Sequence, residues 1–194
     1  MLKTQLNPLF QVKLVSDGKS HFYQLGSDET FYPGVTTILG GTIPKPALVP
    51  WALNSMADNL KPNIGKILTK EMIEESKGVY KKKAQEAADI GTGVHQAIDS
   101  IIKGEEKDIA EEFQPGVQGF LDWKASNSLK IELGDTKIGS KMFGYGGSLD
   151  MVAFGDPGPI IFDFKTTKKR KDRDHGIYPE YAIQLSAYAN AFQE

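Results

Sequence analysis

Apolar and polar positions follow two rhythms along this chain, one of period two and one close to 3.6. Between Phe10 and Leu25, Val12 and Leu14, then Phe22 and Leu25, flank Ser16-Asp17-Gly18-Lys19. Short apolar runs on either side of a Gly-containing turn predict a β-hairpin. Phe31 to Leu39 is a short apolar, β-branched segment containing Pro33-Gly34, and Pro44, Pro46 and Pro50 punctuate the chain beyond it. From Ala47 to Leu60 the period lengthens. Leu48, Trp51, Ala52, Ser55 and Met56 fall on one side of a predicted helix. Thr69 is placed to cap a second helix running to about Ala88, with Glu71 and Glu74 near its positive end. A third helix is predicted to start at Asp89 or Thr92, to run through Ile102 and to stop at Gly104.

The region from Leu121 to Ala153 turns to strands. Asp135 to Ile138, Ser148 to Phe154 and Pro159 to Lys165 are the best candidates. Gly104 to Asp108 and Lys168 to His175 read as loops. Tyr181 to Phe192 reads as a helix, with Ile183, Leu185, Ala187 and Tyr188 as its apolar surface. Helices, then three strands, then a helix predict an α+β or mixed α/β fold with a small central sheet.

The chain has 194 residues, enough for one domain or one domain with an insertion. It contains no cysteine, which excludes disulfides, thiolate zinc sites and iron-sulfur clusters and fits a reducing cytosol. The N-terminal residues lack the apolar core of a signal peptide, and no apolar run reaches membrane-spanning length. Net charge is −2, so nucleic-acid binding would have to come from local basic patches.

The chemistry concentrates in Gly147-Ser148-Leu149-Asp150 and Ile160-Ile161-Phe162-Asp163-Phe164-Lys165. Antiparallel neighbours joined by a short Gly/Pro turn bring Asp150 beside Asp163. Two close carboxylates repel, and a divalent cation with a taste for oxygen, Mg²⁺ or Mn²⁺, relieves the repulsion. Lys165 lies two residues beyond Asp163, on the same face of an extended strand. A metal and a lysine on one face suit a phosphodiester and an attacking water.

Four pieces stand in order: Gly91-Thr92-Gly93-Val94-His95, Gly147-Ser148-Leu149-Asp150, Asp163-Phe164-Lys165 and Gln184-Leu185-Ser186-Ala187-Tyr188. Together they resemble the PD-(D/E)XK nuclease superfamily and its RecB-like branch, whose pattern is a helical His, Gly-x-x-Asp, Asp/Glu-x-Lys and Gln-x-x-x-Tyr. Tyr32 to Leu39 and the Trp51 helix extend the likeness, more weakly, toward phage exonucleases and the mitochondrial genome maintenance exonuclease.

The resemblance implies a restriction-endonuclease-like core, a small mixed central β-sheet flanked by helices, over residues 91–194. Residues 1–46 would be an N-terminal β and loop segment, and residues 47–90 a helical insertion or arch over the cleft. It implies one or two Mg²⁺ or Mn²⁺ ions on His95, Asp150, Asp163 and the Phe164 backbone carbonyl. An imidazole ligand tilts that set toward Mn²⁺. An additional acid is expected on the preceding strand, Asp135 or, failing that, Glu132; a solvated strand edge is the alternative. Asp99 stands where the family usually has Glu, four residues after the His. Lys165 would orient the water or stabilise developing charge. Gln184 would touch the phosphate backbone or Lys165, and Tyr188 would support the site; helix packing is the alternative for both.

Lys168, Lys169, Arg170, Lys171 and Arg173 form a basic run just past Lys165, either a solvated loop or a track for a DNA backbone. Lys81-Lys82-Lys83 is a second such run. Thr36, Thr37 and Trp51 are further candidate DNA contacts, and Phe31, Tyr32 and Trp51 are either stacking rings or core.

The implied activity is metal-dependent hydrolysis of DNA, leaving 5′-phosphate and 3′-hydroxyl ends. The favoured form is a single-strand exonuclease of phage or bacterial recombination, repair or replication, cytoplasmic and open to a recombinase or helicase partner. A structure-specific or restriction endonuclease shares the same core. A catalytically silent DNA-binding module is the reading from another class. The CRISPR adaptation nuclease of this branch usually carries iron-sulfur cysteines, which this chain lacks. Superfamily members also place a strand after the Gln-x-x-x-Tyr helix. The sequence ends at Glu194, leaving that strand to a continuation, to another chain, or to a variant core.

Overall fold

The computed structural model describes residues 12–16, 21–27, 29–105, 108–167 and 178–194. The turn at Asp17-Gly18-Lys19, part of the Gly104–Asp108 loop and the basic run from Lys168 to His175 fall outside the described residues. The rest is a mixed α/β arrangement of eight strands and five α-helices. Among the described residues, no helix is long and apolar enough to cross a membrane.

The N-terminal hairpin forms as the alternation predicts. β1 (Val12–Ser16) pairs antiparallel with β2 (His21–Leu25), and β2 pairs with β3 (Phe31–Pro33). The apolar stretch after Pro33-Gly34 is then a helix, α1 (Val35–Thr42), despite its β-branched residues. Val35 is buried from that helix into a core shared with Leu149, Val152 and Tyr188, so tertiary packing overrides a weak local preference.

α2 (Leu48–Leu60) matches the predicted helix, with Ser55 as its buried residue. The next two predicted helices are one: α3 runs unbroken from Lys70 to Lys103. Thr69 caps it by accepting a hydrogen bond from the Met72 N–H at 3.3 Å, and Gly104, at φ 71°, ends it in the left-handed conformation that suits glycine. The expected boundary near residue 90 therefore lies inside a helix. Gly91-Thr92-Gly93 resembles a helix start because glycine is a poor helix interior residue. Here it makes room for neighbours: a Cβ at Gly93 would lie 2.1 Å from the Phe113 ring. The first half of α3 packs on α2, through an edge-on Trp51–Tyr80 contact at 6.2 Å and an Asn59–Ser76 hydrogen bond at 2.9 Å. Residues 81–90 are exposed on every side.

α4 (Gln114–Ser126) is a helix that the sequence pattern does not predict, and it takes residues 121–126 from the expected strand region, while β4 (Lys130–Leu133) falls within that region. β5 (Thr136–Ser140) and β6 (Tyr145–Leu149) form a two-stranded antiparallel sheet. β7 (Met151–Phe154) lies between β4 and β8 (Pro159–Phe162), antiparallel to both. The expected mixed central sheet is thus replaced, among the described strands, by three small antiparallel sheets. The apolar run from Ser148 to Phe154 is two strands that pair in different sheets, divided at Asp150.

Close approach joins the pieces. A Cβ at Gly146 would sit 2.3 Å from the Cβ of Tyr23, so only glycine lets β6 lie against β2. An isolated parallel bridge from Gly34 to Gly146 ties the same two sheets. β7 is buried on both faces. Met151 packs with Val94, Ile98, Val117 and Phe120 of α3 and α4. Val152 packs with Val35, Ile138, Leu149, Tyr188 and Ala191 on the other side. Each such side chain contributes about 1.5–3 kcal/mol of burial.

α5 (Pro179–Gln193) closes that second core with Gln184, Tyr188 and Ala191 inward. Ile183, expected on its apolar face, is 47% exposed. Glu194 anchors the far end, accepting hydrogen bonds from Ser140 Oγ at 2.5 Å and from the N–H groups of Lys141 and Met142 at 2.9 and 3.0 Å.

This packing makes two outcomes measurable. A Cβ at Gly147 would lie 2.4 Å from the Tyr188 ring, so Gly147→Ala is expected to cost about 1–3 kcal/mol, read as a lower urea midpoint. The Ser140 hydroxyl and the Met142 and Lys141 N–H groups hold the Glu194 carboxyl below its ordinary value of 4.5. A depressed folded value stabilises above the unfolded value and fades as pH falls through the folded one. The advantage in urea midpoint over Glu194→Gln should therefore be present at neutral pH and shrink as pH falls below the ordinary value of 4.5.

Candidate active site

The β6–β7 junction positions the first acid. Leu149 and Met151 are fully buried on either side of it, which leaves Asp150 at the point where the chain passes from one sheet to another. The Asp150 N–H donates to the Phe162 carbonyl at 3.3 Å. Because Met151 is the partner of Phe162, the next position out on each strand sets Asp150 beside Asp163, the pairing that the sequence pattern predicts. Strand geometry ends at Phe162, one residue short of Asp163, yet the ammonium of Lys165 still reaches the Asp163 carboxylate.

Several elements converge here. His95 comes from α3, and its Nδ1 lies 3.0 Å from Asp150 Oδ1. Asp150 Oδ2 accepts the Phe164 N–H at 2.5 Å. Gln184 Nε2, from α5, donates to Asp163 Oδ1 at 3.0 Å and to the Tyr188 hydroxyl at 2.9 Å. The Asp163 side chain is only 7% exposed. Each carboxylate oxygen of the pair therefore has a donor or a cation against it, as buried acids require.

The electrostatics reflect these contacts. Burial pushes the Asp163 carboxyl up, the Lys165 ammonium pulls it back, and the charge of Asp150 raises it again. The hydrogen bond to Asp150 raises His95, with burial opposing and the two carboxylate charges assisting. Burial drives the Tyr188 phenol well above its ordinary range, so it remains a neutral hydroxyl.

The other candidate residues lie in different surroundings. Asp135 is bound to Lys137 at 2.5 and 2.6 Å, and Glu132 pairs with Lys130. Nearby lysines engage both acids, so neither joins the contacts around Asp150 and Asp163. Asp99 also works elsewhere, accepting from the Asp135 N–H at 3.0 Å and from Lys103. Phe164 contributes its N–H to these contacts, donating to Asp150 Oδ2. Thr36 and Thr37 lie exposed in the first turn of α1. Trp51 and Lys81-Lys82-Lys83 belong to the α2–α3 pair, and Phe31 is 56% exposed. Lys168, Lys169, Arg170, Lys171 and Arg173 lie outside the described residues.

Sequence reasoning missed two rings. The Lys165 ammonium stands 5.4 Å from the centre of the Tyr181 ring, and Phe164 meets the His95 ring edge-on at 5.9 Å. Tyr181 precedes Gln184 by one helical turn, and that spacing is the signal which could have found it.

As donors, two carboxylates and an imidazole suit a hard or borderline divalent ion. Among the described residues, however, no three His, Cys, Asp or Glu side chains stand as a ready-made ligand group. His95 and Asp150 face one another, and Asp163 is held by Lys165 and Gln184. Comparison with protein-family models, with curated proteins and with solved structures finds no match for the chain.

The raised folded value of His95 means that its contribution to stability is full below the ordinary 6.5 and is lost as pH rises through the folded value. An NMR titration of the His95 ring is expected to show a midpoint above 6.5. In Asp150→Asn the midpoint should fall relative to the parent protein, because the largest cause of the rise is removed.

Proposed function

We propose that this chain is a metal-dependent deoxyribonuclease with a restriction-endonuclease-like core, acting as an exonuclease on single-stranded DNA. The observation that carries the reading is the convergence of His95, Asp150, Asp163, Lys165, Gln184 and Tyr188 through direct contacts. These residues come from α3, two strand ends and α5, and two neighbouring acids at the end of an apolar strand pair are a cost that chemistry explains.

The donor set fits Mg²⁺ or Mn²⁺ on Asp150, Asp163 and His95. A bound ion would supply a Lewis acid for the phosphate and lower the pKa of its water. Loading the site means that His95 turns to the ion as a neutral imidazole and that the Lys165 ammonium shifts off Asp163, and both side chains are partly exposed. The chain's own residues do the rest. Lys165 carries a positive charge beside the acids, where it can meet the negative charge that builds on a phosphorane. Gln184 fixes the orientation of Asp163. Tyr188 accepts from Gln184 and, as a neutral buried hydroxyl, keeps that amide turned toward the acid. The place of action in this reading is the cytoplasm of a bacterium or of a phage-infected host, in recombination, repair or replication.

The test uses end-labelled linear single strands, closed circular single strands and duplex DNA, each with EDTA, Mg²⁺ or Mn²⁺. The linear single strand should be lost in a metal-dependent way and the circle spared. Lys165→Ala should cut at least about 10²-fold more slowly with an unchanged circular dichroism spectrum. Cleavage of the circle would make the protein an endonuclease. Cleavage of nothing would leave a DNA-binding module.

A further inference from the structure

Lys165 and Thr166 also line a second feature, a cleft of about 600 Å³ between α3, α4 and the segment after β8. That volume lies within the roughly 300–1,000 Å³ typical of small-molecule sites. Its walls include Phe120, Trp123, Phe162 and Phe164. Phe120 stacks on Trp123 with ring centres 6.1 Å apart and meets Phe164 at 5.7 Å, while Trp123 meets Phe162 at 5.0 Å. The geometry points to a nucleobase-binding cleft, which accepts one unpaired base of a DNA strand whose phosphate lies at Lys165.

A ring-lined cleft favours ligands with a π-face, and a cation shared with it favours an anion beside that face. A nucleotide joins the two. Glu112, also in the lining, repels phosphate, so the phosphate belongs at the Lys165 end. A base in a duplex is paired and stacked and does not enter, whereas an unpaired base pays no such cost. Every base has a π-face, so the cleft reads single-strandedness and not sequence. This inference rests on the nuclease reading and deepens it: the preference for single strands comes from the cleft.

Gly119 provides the test. It lies on α4 in the lining, and a Cβ there would meet nothing within 4 Å. Gly119→Leu therefore fills the cleft while leaving the core untouched, and leucine is the better helix former. Trp51 and Trp123 are the two tryptophans, so a shared Trp51→Phe background makes Trp123 the reporter.

The probes are a labelled oligothymidylate of about 12 nucleotides, within single-strand site sizes, and an abasic strand of equal length, both in EDTA. The oligothymidylate is expected to quench Trp123 emission and the abasic strand to leave it unchanged. Gly119→Leu should weaken oligothymidylate binding about tenfold, by anisotropy, and abolish the quenching. Equal quenching by both strands, no quenching by either, or parental binding by Gly119→Leu overturns the inference.

Cleavage of the same strands with Mn²⁺ separates the two readings. If both strands are cut at one rate, the cleft inference fails and the nuclease stands. If neither is cut while base-dependent quenching persists, the nuclease reading fails and the base cleft remains.

Discussion

Two carboxylates held side by side at the rim of an apolar core must be compensated, and much of this structure is organised around that requirement. Asp150 and Asp163 are adjacent because β7 and β8 pair antiparallel up to their ends. Their charge is met from several directions, by an imidazole on α3, an ammonium beyond β8, a backbone N–H at Phe164 and an amide on α5. Losing one donor would leave the others facing an uncompensated, largely buried acid.

The scaffold explains how those groups are held. β7 is buried on both faces, so the two cores it separates are fixed relative to each other by one strand. α3 enters one core and brings His95; α5 enters the other and brings Gln184 and Tyr188. The site lies where the two cores meet the strand ends. Glycines at the contacts let chain segments approach where any side chain would collide, as at Gly147 against Tyr188. His95, Gln184 and Tyr188 are positioned by packed helices, and Asp150 and Asp163 stand one residue beyond β6 and β8.

The nuclease reading gives these contacts a common purpose. In that reading the paired acids would hold a divalent ion, the lysine would meet phosphate, and the aromatic cleft beside that lysine would take what the phosphate carries. Each feature has a blander explanation alone. Their adjacency favours one ligand that is at once anionic and aromatic.

The sequence by itself determined the local chemistry. Asp150 beside Asp163 and Gln184 one turn before Tyr188 were legible because strand and helix periods are fixed by backbone geometry, and Lys165 reaches Asp163 although the strand expected to carry both ends at Phe162. The hairpin, α2, α5 and both caps of α3 were legible for the same reason. Tertiary structure alone decided what depends on partners distant in sequence. The unbroken α3, the helical fate of Val35 to Thr42, the division of the chain at Asp150 between two sheets and the engagement of the Asp135 N–H by Asp99 are all of this kind. Glycine and β-branched residues carry penalties of at most about 1 kcal/mol each, and burial of a few side chains against other elements outweighs them. Those neighbours exist only once the chain has folded.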